Sequence, residues 1–203
     1  MRRSLMTLAL AALLGGGSGV TAWGSTNLVQ NPGFEADTIG PPNYFVSPPM
    51  HWISSGDSGA DNAFPHSGNN DGFIGTGGLS QTVATVSGMS YAVTFWVGIN
   101  DANLASDSAA SFDATLGGQD LLSGGISPSA VAYPGYTAFT DTVTPGANAL
   151  LSFTGVINAP DGNWYLDDVS VVAVASSTIP EPPAILSLLA ALGAIALVRR
   201  RTA

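Results

Sequence analysis

Short runs of alternating apolar and polar residues recur through the middle of the chain, and the clearest is YAVTFWVGI, residues 91–99. Successive side chains of a β-strand point to opposite faces of the sheet. All five residues on one face of this run are apolar or aromatic: Tyr91, Val93, Phe95, Val97 and Ile99. The run therefore predicts a strand whose odd-numbered face lies in a hydrophobic core.

Similar runs predict further strands, and turn-forming dipeptides such as Ser87-Gly88 and Pro134-Gly135 separate them. The predicted strands lie at 79–85, 111–116, 136–143, 149–153 and 164–174. Short strands at this spacing, without a long amphipathic helical pattern, predict an all-β domain, an antiparallel jelly-roll β-sandwich. Long loops are expected at 40–49, 56–70, 101–110 and 124–135, where binding residues usually lie.

Residues 1–24 have the three parts of a secretory signal peptide. Arg2 and Arg3 form a basic start, residues 5–14 are apolar, and Ala22-Trp23-Gly24 places small residues before a cut at Ser25. A retained N-terminal anchor is the alternative, but the apolar run is short for a membrane span. The chain is therefore expected to be exported.

The final segment, residues 179–203, also has three parts. It contains Pro180-Glu181-Pro182, an aliphatic stretch over 184–198, and the cluster Arg199, Arg200 and Arg201. A helix over that stretch spans roughly 22 Å, which makes it a short transmembrane helix for a hydrocarbon core of about 30 Å. The arginines would stay cytoplasmic. A buried C-terminal helix is the alternative, but such helices rarely lack a polar face.

The order of these three parts resembles the PEP-CTERM sorting signal of Gram-negative bacteria. The resemblance implies that an exosortase, a membrane protease-transpeptidase, reads Pro180, Glu181 and Pro182 and processes the tail after transient insertion into the inner membrane. Members of this family often accompany exopolysaccharide production. We therefore expect a membrane-anchored form before processing, and a protein of the cell surface or extracellular matrix after it.

The remaining body, residues 25–178, is strongly acidic. It holds thirteen of the fourteen acidic residues and none of the five basic ones, which gives a formal charge of −13. A body without Lys or Arg cannot neutralise phosphates, so nucleic-acid binding is excluded. Oxygen-rich acidic sites suit Ca²⁺, although a plain acidic surface is the alternative. Cysteine is absent, so stability must come from the core, with or without a metal.

Two segments at the ends of the body carry a second resemblance. They are NLVQNPGFEA, residues 27–36, and NWYLDDVSVVAV, residues 163–174. Between them lie His51-Trp52 and LSQTVATVSGMSYAVTFWV, residues 79–97. In this order the segments resemble the galactose-binding-like β-sandwiches, a superfamily that includes several carbohydrate-binding modules.

In that superfamily a structural Ca²⁺ often joins the N-terminal segment to the last strand. The resemblance implies Glu35 and either Asp167 or Asp168 as metal ligands, with backbone carbonyls of residues 68–72. Adjacent residues on a strand point to opposite faces, so only one aspartate is expected to face the metal, and Asp168 is preferred. The alternative is that Glu35 and one aspartate only accept backbone hydrogen bonds.

No catalytic centre is predicted, because two histidines are too few for a usual zinc site and no GxSxG motif is present. Aromatic rings in or beside loops offer apolar faces for sugar rings. The candidates are Tyr44, Trp52, Tyr133 and Tyr136, whereas Trp96 and Trp164 are expected in the core. The predicted function is therefore a non-enzymatic protein of the exopolysaccharide matrix, and the alternative is a carbohydrate-binding protein with a discrete sugar site.

Overall fold

The computed structural model describes residues 26–41, 45–158 and 162–174. The signal-peptide prediction for residues 1–24, the sorting-tail prediction for residues 179–203 and Tyr44 lie outside these ranges. No helix within the described ranges has the length and hydropathy needed to cross a membrane.

The described residues form an all-β structure with one α-helical turn and one 3-10 turn, the latter at Pro128–Ala130. The strands are β1 (Phe45–Val46), β2 (Ile53–Asp61), β3 (Asp71–Val83), β4 (Tyr91–Ile99), β5 (Ser111–Leu116), β6 (Gln119–Asp120), β7 (Gly135–Val143), β8 (Ala149–Val156) and β9 (Trp164–Ala173), and the helical turn is α1 (Ala102–Ala105). Residues 91–99 form β4 over the whole predicted range.

The strands pair antiparallel and are divided into two layers by the long strand β3. Its first part pairs with β9 through Gly72–Ile74, and its later part pairs with β8 through Gly77–Val83. The order is therefore β3-β9-β4-β7 in one layer and β3-β8-β5-β6 in the other. Strand β2 pairs along β3, and β1 pairs with the end of β2.

Aromatic side chains fill the space between the two layers. Phe95 on β4 meets Phe153 on β8 with a ring separation of 5.1 Å. Phe112 on β5 lies 5.6 Å from the ring of Trp164 on β9. All five residues of the predicted inner face of β4 are buried, and the antiparallel β-sandwich prediction is confirmed.

The sequence prediction was wrong about β2 and about the length of β3. Residues 56–70 were expected to form a loop, but β2 continues to Asp61 and β3 begins at Asp71, which leaves a loop of 62–70. The segment ISSGDSGAD has no apolar alternation, so its strand conformation comes from pairing with β3 rather than from its own side chains. The helical turn α1, inside the predicted loop 101–110, was also missed; Asp101 caps it by accepting from two backbone N–H groups.

Candidate functional site

A row of three side chains crosses the outer face of the β1–β2–β3 edge. Phe45 on β1 lies opposite Asp61 on β2, and Asp61 lies opposite Asp71 on β3. Directly opposed residues of antiparallel strands project to the same face. The pairing therefore places one aromatic ring and two carboxyl groups in a line on one face of the sheet.

A second row beside it contains aromatic rings and a glycine. Gly59 on β2 lies opposite Phe73 on β3, which lies opposite Tyr165 on β9. A Cβ at Gly59 would come within 2.7 Å of the Phe73 ring. The ring can therefore lie there only because Gly59 has no side chain. Phe45 packs edge-on against Phe73 with a ring separation of 5.8 Å.

The two rows border an open groove of about 350 Å³. Its walls are formed by Phe45, Asp57, Asp61, Ala63, Phe73, Asn163 and Tyr165. Asp57 is exposed. Its carboxyl group packs against Gly75, in the space that the Cβ of any other residue at position 75 would need. The groove therefore combines ring surfaces with carboxylate, amide and phenol groups.

Asp71 is the most perturbed acid of this region. Its side chain is fully buried, and burial, followed by the nearby Asp61, raises the pKa of Asp71 to about 10. When both carboxyls are ionised neither can donate a proton, and Asp71 Oδ1 then has no hydrogen-bond partner. A protonated Asp71 can instead share a hydrogen bond with Asp61. Asp71 is therefore a neutral acid at pH 7.

Two tyrosines border Asp71. Tyr136 on β7 donates its hydroxyl to the carbonyl of Phe64 at 2.6 Å and lies 3.3 Å from Asp71 Oδ2. Burial and the neighbouring acids raise the pKa of the Tyr136 phenol well above its ordinary value. Burial, with Asp61 and Asp71, likewise raises the pKa of Tyr165 to about 12. Both phenols are therefore neutral donors at physiological pH.

The two adjacent aspartates of β9 point to the same side, which corrects the prediction that they face apart. Between Thr94 and Trp96 the pairing of β4 with β9 shifts register, and Asp168 adopts a positive φ of 50°. This β-bulge turns one extra residue of β9 out of the normal alternation. Both carboxyl groups then contact the loop at His66 and Ser67.

These two aspartates and Glu35 hold the loop of residues 66–70, which we call the clamped loop. Asp167 Oδ2 accepts the backbone N–H groups of His66 and Ser67 at 2.9 and 3.0 Å. Glu35 Oε1 accepts those of Asn69 and Asn70 at 2.7 and 2.8 Å. Burial outweighs these hydrogen bonds and raises the pKa of Asp167 to about 6.

The clamped loop also covers an aromatic residue that was expected in the core. The His66 ring stacks on Trp96 with a centroid separation of 3.9 Å, and His66 Nδ1 lies 2.7 Å from Asp168 Oδ2. Trp96 is only half-buried and lies on the outer face of β4. The expectation of a core Trp96 was therefore wrong, whereas Trp164 is fully buried as predicted.

The three predicted sugar-stacking aromatics within the described ranges, Trp52, Tyr133 and Tyr136, do not form one surface. Trp52 is 4% exposed, stacks on Phe34 at 5.4 Å, and donates its indole N–H to the carbonyl of Asn31. It is therefore a core residue and offers no ring face to solvent, which corrects the prediction for Trp52. Tyr136 packs under Phe64 at 5.3 Å, and Tyr133 is exposed.

The groove residues were missed because nothing in the local sequence marks them as a group. Asp57, Gly59 and Asp61 have the two-residue spacing of one strand face, and so do Asp71, Phe73 and Gly75. That spacing is the signal that could have identified them, but it is surrounded by serine and glycine. Residues of four strands form the groove, so only long-range pairing brings them together.

The proposed calcium ligands are close together but do not form a calcium shell. Glu35 and both aspartates surround Gly33, yet their contacts are with N–H and O–H donors of the protein. Both oxygens of Asp168 are engaged, by Ser67 Oγ at 2.7 Å and by His66. No group of three or more His, Asp or Glu in the described ranges could hold a metal ion. Calcium at Glu35 and Asp168 stays a prediction from the resemblance.

Chelation provides the test of that ligand pair. Because the carboxylates are already satisfied by protein donors, we expect the melting temperature in EDTA to equal that in excess Ca²⁺. Differential scanning calorimetry of the purified protein measures both. A fall of several degrees in EDTA, reversed by Ca²⁺ and absent in a Glu35→Gln variant, would instead support the calcium site.

No family model matches this chain, and no curated protein matches it in sequence. Among solved structures, a cyclase from Fischerella sp. TAU superimposes with a TM-score of 0.52 and 17% identity, over 76% of this chain and 100% of that chain. The Stig cyclase Fisc from Fischerella sp. TAU, in complex with an indole compound, superimposes with a TM-score of 0.51 and 18% identity. The match covers 73% of this chain and 96% of that chain.

The CBM22-1 xylan-binding domain of Paenibacillus barcinonensis Xyn10C gives a TM-score of 0.48 and 12% identity, over 75% of this chain and 97% of that chain. At these identities the likeness to the cyclases shows a shared fold alone. One β-sandwich fold can carry unrelated activities. The function of this chain must therefore be argued from its own site.

Proposed function

We propose that this chain is a non-enzymatic carbohydrate-binding protein that acts outside the cytoplasm on polysaccharide. The observation that carries the proposal is the groove between β1, β2, β3 and β9, where the rings of Phe45 and Phe73 lie beside Asp57 and Asp61. Sugars present apolar C–H faces, which pack on aromatic rings. They also present hydroxyl groups, which donate to carboxylates.

Phe45 has the exposure that a sugar-stacking ring needs. It is 65% exposed, and Phe73 holds it from below in an edge-on contact. Tyr165 and Asn163 supply donors at the other wall of the groove. An exposed ring fixed by a buried one loses little side-chain freedom when a ligand packs on it.

The location outside the cytoplasm is proposed from the sequence. The signal peptide, the Pro180-Glu181-Pro182 tail with Arg199, Arg200 and Arg201, and processing by an exosortase form one consistent set of expectations. The body is suited to such a location because it contains no Lys or Arg and carries many acids, and high net charge favours solubility. The polysaccharide is then the exopolysaccharide of the same cell surface.

Native gels that contain dissolved polysaccharides provide the test of binding. We expect the purified protein to be retarded by at least one polymer, and we expect Phe45→Ala to abolish the retardation because it removes the exposed stacking ring. Tyr133→Ala is the matched control, since Tyr133 is exposed but does not border the groove.

The gel results discriminate between the alternatives. Retardation that survives Phe45→Ala and disappears in Tyr133→Ala would move the site to the loop aromatic predicted from sequence. Absence of retardation by every polymer would favour the other candidate, a structural matrix protein without a discrete sugar site.

A further inference from the structure

We propose that β7 is a docking edge for a second copy of this chain, and that two copies join through β7 into one continuous antiparallel sheet. This pairing goes beyond sugar binding and involves no residue that lines the groove. It depends on three features of β7: backbone groups without partners, a regular strand without the usual protection of an edge, and a sequence that pairs with itself in one register.

The backbone groups of alternate β7 residues point away from the sheet. Val174 donates its N–H to the Ser90 carbonyl, so the even-numbered residues of β4 bond to β9 and the odd-numbered ones bond to β7. The odd-numbered residues of β7 therefore bond to β4, and the even-numbered ones face the open side. Within the described ranges, the backbone N–H and C=O groups of Ala138 and Thr140 have no hydrogen-bond partner on that side.

The next even-numbered positions, at the end of the strand, have the same orientation but are satisfied by side chains. Thr144 exchanges two hydrogen bonds with the side-chain amide of Gln119 on β6, at 2.7 and 3.1 Å. Thr142 donates its N–H to the carboxylate of Asp141 at 2.7 Å. Side chains thus cover the end of the edge, whereas the exposed centre of the strand stays unpaired.

β7 also lacks most of the features with which natural sheets protect an edge. Such features include very short strands, bulges, proline and lysine. β1 and β6 have two residues each, and β2 has a bulge between Gly56 and Ser58. β7 pairs with β4 over nine residues without a register shift and contains neither Pro nor Lys. In the described part of the chain, this edge is therefore the most open to pairing.

The sequence of β7 is self-complementary when a two-fold axis passes through its central residue, Phe139. Two copies then pair over the whole strand, and Ala138 of each copy exchanges hydrogen bonds with Thr140 of the other. The two Phe139 rings lie opposite each other, on the face where a cavity of about 300 Å³ separates Phe139 from Leu122 and Ile126. Each half-buried ring gains apolar contact there.

Asp141, the only charged residue of β7, selects this register. An axis at Phe139 places Asp141 opposite Thr137 of the second copy, so the two Asp141 residues lie four positions apart along the strands. That separation is about 14 Å, longer than the screening length of about 8 Å at physiological salt. An axis at Asp141 would instead oppose the two carboxylates directly, which destabilises a strand pair.

The pairing leaves the groove open in both copies. β7 and the β1–β2–β3 edge lie at opposite ends of the same layer. A dimer through β7 therefore presents two grooves at the far ends of one sheet. Two linked sites bind a polymer more tightly than one site does, and a dimer that holds a different polysaccharide chain in each groove cross-links the matrix.

Sedimentation velocity of the purified protein from about 1 to about 200 µM tests the pairing. We expect a monomer–dimer equilibrium without larger species, because pairing uses the edge of each copy. We also expect tighter association at about 0.5 M than at about 0.05 M NaCl, because salt screens the repulsion between the acidic bodies. A protein that stays monomeric under all these conditions, or that forms larger species, overturns the proposal.

Ala138→Pro tests the backbone pairing. Proline removes the outward N–H, yet it is tolerated in an edge strand where that group faces solvent. We therefore expect the dissociation constant of the dimer to rise at least about tenfold, while the melting temperature of the dilute monomer stays close to that of the unmodified protein. Ala138→Ser is the matched control, because it alters the same exposed side chain and keeps the N–H. A dimer that survives the proline, or equal losses in both variants, overturns the proposal.

Thr137→Lys and Thr137→Asp test the register without altering the backbone. Because position 137 faces Asp141 of the second copy twice across the axis, we expect the lysine to tighten the dimer severalfold and the aspartate to weaken it about tenfold. Thr154→Lys, at an exposed position on β8, is the control for the change in overall charge. Equal tightening by the two lysines, or equal effects of lysine and aspartate at position 137, contradicts the proposed pairing. These measurements contain no sugar, so their failure leaves the proposed carbohydrate binding intact.

Discussion

Asp71→Asn is expected to stabilise the protein at pH 8 and to remove most of the pH dependence of its unfolding. In the folded protein the pKa of Asp71 is raised to about 10, whereas the ordinary pKa of an aspartate is 3.8. Between these limits the folded state binds one more proton than the unfolded state. The free energy of unfolding therefore falls as the pH rises, by about 1.4 kcal/mol per pH unit.

The expected effect for the unmodified protein is large. Lowering the pH from 8 to 6 should stabilise it by as much as about 3 kcal/mol, which is roughly 6–12 °C in melting temperature for a domain of this size. Below about pH 6, Asp167 adds a second proton to the folded state because burial raises its pKa as well. The stability gained on acidification is fully present once the pH is below 3.8, the ordinary pKa of an aspartate.

The variant tests which acid is responsible. An asparagine at position 71 is neutral at every pH and has the shape of the protonated acid, so Asp71→Asn should be more stable than the unmodified protein at pH 8 by about 3 kcal/mol or more. The two proteins should converge near pH 4. Thermal melts from pH 4 to 8 measure this difference, with the exposed Asp141→Asn as the control for loss of one charge. Parallel stability curves for the two proteins would contradict a neutral buried Asp71.

Phe95→Ala is expected to have the second large effect, a loss of about 3–5 kcal/mol in the free energy of unfolding. Phe95 is fully buried and lies 5.1 Å from the ring of Phe153 and 5.8 Å from that of Phe139. Its removal would open a cavity where the two layers meet. Chemical denaturation should show the loss directly, and the melting temperature should fall by roughly 6–20 °C.

Phe45→Ala is the matched control for Phe95→Ala, because it removes the same ring from an exposed position. We expect it to change the unfolding free energy by less than about 1 kcal/mol while it abolishes polysaccharide binding. The two variants should therefore separate stability from binding. A similar loss of stability in both variants would mean that Phe45 belongs to the core.

The strands that could be predicted are those whose own side chains alternate. Phe95 and its neighbours on β4 have large apolar residues at every second position, and burial follows from that period whatever the partner strand is. Strand β2 has no such period, since most of its residues are serine, glycine or aspartate. Its conformation depends on hydrogen bonds to β3, and a partner far away in the chain cannot be read from local spacing.

The candidate site was predicted less well than the fold. Glu35, Asp167 and Asp168 were expected near one another, and they do meet at Gly33, yet they accept hydrogen bonds from the clamped loop. The expectation that Asp167 and Asp168 face apart assumed regular alternation, and the bulge at Asp168 breaks it. Whether a strand contains a bulge is decided by the register of its partners, here β4.

The sequence by itself determined the β-sandwich class, the inner face of β4 and an acidic body without Lys or Arg, because period and composition are properties of the chain alone. Only the tertiary structure decided that Trp52 is buried and that Phe45, Asp61 and Asp71 form a row. Strand register sets which side chains share a surface, and register depends on pairing between segments that are distant in the sequence.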